Sequence, residues 1–82
     1  MAEQYRAATV TKPILEDLRD ICSIVGHPGA KTRALVKVAE STLNQADMSL
    51  IEEDFRLARH QLLYAAAYIV AAIEKLDREA QS

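Results

Sequence analysis

The sequence predicts an all-α domain of three helices: two short ones packed on one long C-terminal helix, expected to assemble as a dimeric helical bundle. Three observations lead there. Apolar residues recur at helical spacing in three separate stretches, and nowhere do they alternate in the period-two manner of a strand. Gly26, Pro28 and Gly29 cluster at one point between the first two stretches. After Ser49 neither glycine nor proline interrupts the chain.

The first helix is expected from about Lys12 to Val25. Thr11 suits the N-cap and Pro13 the first turn, where a missing N–H costs nothing. Ile14, Leu18, Ile21 and Val25 form its apolar stripe, widened by Leu15 and Cys22. Gly26 fits the left-handed position that ends a helix, and Pro28 blocks continuation. The second helix is expected from about Ala30 to Ala46, turning Leu35, Val38, Ala39, Thr42, Leu43 and Ala46 inward with Val36 on the flank. The third is expected from about Ser49 to Arg78. Ser49 and Glu52 have the spacing of a capping box, and Glu52, Glu53 and Asp54 sit where the positive end of the helix dipole favours carboxylates. Residues 1–10 show little periodicity and read as a flexible arm ahead of a helical domain at 11–82.

Along the third helix Ile51, Phe55, Ala58, Leu62, Ala65, Ile69, Ala72 and Leu76 trace a heptad seam. A second apolar face lies beside it, so from Leu62 to Ile73 the helix is apolar almost all round. A helix of that kind is covered on several sides. With both short helices assigned to the seam, the face of Leu63, Tyr64, Ala67, Tyr68, Val70, Ala71 and Ile73 is left as a partner surface. The partners expected are a second copy of the chain and another protein.

Composition narrows the function classes. At 82 residues the chain has room for one small core, and its single cysteine, Cys22, rules out an internal disulfide as its staple. A lone cysteine on an apolar face reads as a buried thiol in a reducing compartment. No metal or cofactor site is legible, since His27 and His60 stand far apart without neighbouring ligands. A net charge of −2 argues against a general affinity for nucleic acid or anionic membrane. The longest uncharged apolar run, Leu62 to Ile73, is too short to span a bilayer, and the N-terminus lacks a signal-peptide core. A cytoplasmic location is the expectation.

Three constellations invite chemistry. The stretch VGHPGAKT, Val25 to Thr32, resembles a phosphate-binding loop, but Gly26 and Gly29 are too close together and Ala30 separates Gly29 from Lys31. It reads as a helix–helix corner. The same corner in a helix-turn-helix would send the second helix into a major groove with Lys31, Arg33 and Lys37 as nucleic-acid contacts. His60, Tyr64 and Tyr68, one turn apart, have the types of a proton relay, yet no nucleophile accompanies them and interface packing suits tyrosine well. The pairs Glu52 with Arg56 and Glu74 with Arg78 have the spacing of surface ion pairs. The expectation is a small non-catalytic regulatory or adaptor protein working through helix-mediated protein contacts as a homodimer. The alternative is a dimeric DNA-binding regulator.

Overall fold

A computed structural model describes residues 10–25 and 29–81. Among the described residues there are three helices in chain order: α1 (Lys12–Val25), α2 (Thr32–Ile51) and α3 (Phe55–Gln81). The fold is all-α, with no strand among the described residues. The first nine residues of the expected arm, and the turn at 26–28, lie outside the described residues.

Helix α1 has the bounds its sequence predicts. The Thr11 carbonyl accepts the first helical bond, from the Leu15 N–H at 2.9 Å, as an N-cap residue's carbonyl does. Helix α2 departs from expectation at both ends. It starts at Thr32 rather than Ala30, and it runs on to Ile51 rather than stopping at Ala46. Ser49 is therefore no cap. It lies buried in the last turns of α2, and its hydroxyl donates to Gln61 Oε1 at 2.6 Å.

The corner between α2 and α3 falls at residues 52–54. Asp54 N–H reaches the Ser49 carbonyl at 2.9 Å and Glu53 N–H reaches the Leu50 carbonyl at 3.1 Å. Together these two bonds make a Schellman motif, which satisfies the last carbonyls of the helix. Glu53 takes the left-handed position at φ 60°, where glycine is usual. Asp54 then caps α3, its Oδ1 accepting from the Leu57 N–H at 3.2 Å. The acidic triplet thus terminates one helix and caps the next, and Glu52 and Arg56 do not share a helix.

This strain has a measurable consequence. A left-handed L-residue costs about 1–2 kcal/mol, while glycine loses roughly 0.5–1 kcal/mol in chain entropy. Glu53→Gly is therefore expected to stabilise the protein by up to about 1 kcal/mol in urea melts. Glu53→Val should lose about 1 kcal/mol. A destabilised glycine variant would mean that the Glu53 side chain makes a stabilising contact of its own.

Helix α3 is central. Both α1 and α2 pack against it, and among the described residues no α-carbon of α1 comes within 8 Å of one of α2. Helix α2 lies antiparallel to α3, with Ser49 beside Gln61 at one end and Thr32 beside Glu79 at the other. Leu35, Ala39, Ala46 and Ser49 are buried on α2, and Ala58, Ala65 and Ala72 form a buried row on α3, on the side where Gln61 accepts from Ser49. Helix α1 sets Ile21 and Val25 against Leu63 and Ala67, with Leu18, Cys22, Tyr64 and Tyr68 packed around them. An exposed Asp17–Arg59 ion pair at 3.1 Å adds a polar link.

Ala65 and Ala67 are two residues apart, about 200° around a helix at 3.6 residues per turn. The two short helices thus grip nearly opposite sides of α3. This corrects the expectation that they share the heptad seam. Of that seam, only the alanines are buried. Phe55, Leu62, Ile69 and Leu76 stay exposed, and Ile51 belongs to α2.

Candidate functional site

The face assigned by sequence to a partner is partly occupied by the chain itself. Leu63 is 8% exposed and Ala67 fully buried, both beneath α1. Tyr64 and Tyr68 are half-buried against the same cluster. Val70 and Ala71 are half-buried, and only Ile73 of the seven is exposed. This face is therefore not bare, contrary to the expectation: α1 leaves the seam and takes the opposite side of α3.

What remains open is the flank between the two grips. On α3 it carries Phe55, Leu62, Ile69, Ile73 and Leu76. On α2 a row of seven-residue spacing, Val36, Leu43 and Leu50, continues it. Val36 and Leu76 line one shallow depression together, so they lie on the same side of the α2–α3 hairpin. The common seven-residue period then carries Leu43 and Leu50 along the side of Ile69 and Leu62. All eight side chains are between 42 and 63% exposed.

From Phe55 to Leu76 the face is about 30 Å long at 1.5 Å per residue. Two helices at ordinary separation make it about 20 Å wide, so its outline is about 600 Å². That reaches the upper end of the largest apolar patch on a typical monomer, about 300–600 Å². The sequence did signal part of it. The spacing 36, 43, 50 was visible, but Leu43 was read as core, Val36 as flank and Leu50 as the first turn of the third helix.

Of the candidate nucleic-acid residues, Arg33 and Lys37 lie one turn apart on α2. Lys31 and Arg33 border the depression that also holds Lys75 and Glu79. Lys37 stands 3.9 Å from Glu40 on the exposed surface. The brace and recognition helices of a helix-turn-helix pack together across a turn of three or four residues. Here, among the described residues, α1 and α2 are not packed on one another, and six residues separate them.

His60 and Tyr64 stack as tilted rings with centroids 4.9 Å apart. The half-buried tyrosine rings pack toward the α1 cluster, which is an interface within the chain. Among the described residues, no three His, Cys, Asp or Glu side chains gather into a possible metal site. No helix among them is long and apolar enough to cross a membrane.

Cys22 is half-buried on α1. Burial pushes its thiol above the ordinary range, and the nearby Glu74 carboxylate raises it further. Both effects disfavour the thiolate, which is the reactive form. Iodoacetamide at neutral pH is expected to alkylate Cys22 several-fold more slowly in the folded protein than in urea. Glu74→Gln should recover part of that rate. The linkage has one sign: because folding raises this pKa, the thiol's contribution to stability is complete below the unfolded value and is lost as pH rises through the folded one. Equal alkylation rates in the folded and unfolded protein would show Cys22 to be freely accessible.

No protein-family model, no curated protein and no solved structure matches this chain.

Proposed function

We propose that this chain is a small regulatory or adaptor protein that acts through helix-mediated protein–protein contact and not by catalysis. The observation that carries this reading is the open face of Val36, Leu43, Leu50, Phe55, Leu62, Ile69, Ile73 and Leu76 on the α2–α3 hairpin. A contiguous apolar face of that extent on a small chain is the mark of a surface that meets another macromolecule. Its form suits a helical partner. Seven-residue rows on two antiparallel helices offer the grooves into which a third helix lays its own apolar stripe.

The test is a matched pair of baits. The wild-type chain and Leu62→Lys/Ile69→Lys are immobilised and exposed to the same cell extract, with Arg56→Glu as a surface control. Proteins held by wild type and by the control, but lost on the double variant, support a contact surface. Identical recovery on all three baits would overturn the reading.

A further inference from the structure

We propose that a second copy of this chain occupies the α2–α3 face, related to the first by a two-fold axis that passes beside Ala66 and runs perpendicular to the helices. The two α3 helices then pair antiparallel. This rests on reading that face as a protein contact surface.

The apolar row has the symmetry such a dimer requires. Phe55, Leu62, Ile69 and Leu76 are evenly spaced by seven, so the row reads alike from either end. Its midpoint falls between Ala65 and Ala66. Ala65 is buried against α2, while Ala66 is only half-buried. Half a turn about that midpoint brings Leu62 against Ile69 of the second copy, and Phe55 against its Leu76. The α2 row is centred on Leu43. The Ser49–Gln61 and Thr32–Glu79 bonds set Leu43 level with Ala67 and Tyr68, within a turn of the same midpoint. One axis thus serves both rows, as an isologous interface demands.

Area and charge agree with this occupant. An outline of about 600 Å², enlarged by the corrugation of half-exposed side chains, approaches the roughly 800 Å² that each partner contributes to a stable interface. The axis also sets the N-terminal end of one α2, with Lys31, Arg33 and Lys37, beside the acidic turn of Glu52, Glu53 and Asp54 of the other copy. A two-fold parallel to the helices would instead lay α2 of the second copy over α3. Leu50 of α2 sits near the level of Gln61, and α2 ends at Ile51. Phe55, 63% exposed, would lie beyond its reach. The perpendicular axis covers it.

The experiment uses the full chain. Sedimentation equilibrium at micromolar concentration should give twice the chain mass, and Ile69→Glu should give the monomer with its helical circular dichroism retained, because Ile69 is a surface residue of the single chain. Cys22→Ser/Ala66→Cys should form an intermolecular disulfide under mild oxidant, since the axis brings the two introduced thiols together. Cys22→Ser/Arg56→Cys should not. A monomeric wild type overturns the proposal, as does a dimer in which Ala66→Cys links no faster than Arg56→Cys. If either occurs while the matched baits still lose proteins on Leu62→Lys/Ile69→Lys, the contact surface stands and only its occupant is wrong. If the baits also behave alike, the contact reading falls with it.

Discussion

Ala67→Glu is expected to strip α1 from the protein while leaving the α2–α3 hairpin associated. Ala67 is fully buried at the centre of the contact made by Ile21, Val25 and Leu63. A carboxylate placed there has no cationic partner in that cluster, and an unpaired buried charge costs several kcal/mol. That is comparable to the whole docking energy of a helix held by so few large side chains, each contributing about 1.5–3 kcal/mol when fully buried. Because α1, among the described residues, packs on α3 and not on α2, its release leaves the α2–α3 packing in place. Far-UV circular dichroism should lose most of the signal of the 14 residues of α1. An isolated helix of that length is marginal in water. Hydrogen exchange should then rise at amides 16–25 and stay slow at 36–50. A single cooperative loss of protection along the whole chain would show that the three helices form one folding unit.

The second large effect is expected from Ala65→Leu. Ala58, Ala65 and Ala72 form a row against α2, and Ala65 is 1% exposed. A leucine there adds three carbons where no space exists, which forces the helices apart or the side chain off its rotamer. Overpacking of this kind typically costs about 1–3 kcal/mol. The value here should lie toward the upper end, because parting the helices also breaks the 2.6 Å Ser49–Gln61 bond. For a chain of this size about 1 kcal/mol lowers the melting temperature by about 4–8 °C, so a fall of 10 °C or more is expected. Ala80→Leu, on the exposed end of α3, is the control and should move the transition little. An unchanged melting point for Ala65→Leu would mean that the alanine row does not set the separation of α2 and α3.

The all-α class, the three helices of the described residues and the bounds of α1 follow from the sequence by itself. Helical periodicity and the Thr11–Pro13 start are local signals that tertiary contacts do not override. The sequence also told that α3 is apolar almost all round between Leu62 and Ile73.

Tertiary structure decided where α2 ends and which face of α3 each short helix takes. The corner at 52–54 was hidden because its left-handed residue is Glu53, not glycine, and because Ser49 and Glu52 imitate a capping box. Ser49 serves instead as a buried donor to Gln61, a partner twelve residues away that no local pattern reveals. The choice of faces is a matter of volume. Ala58, Ala65 and Ala72 are small enough to admit α2 closely, while Leu63 and Ala67 are buried in one cluster with Ile21 and Val25. A period fixes which residues share a side of a helix, but every apolar side of α3 satisfies the same period. Only the packing of side-chain shapes chose between them, and it left the flank of Leu62, Ile69 and Leu76 open.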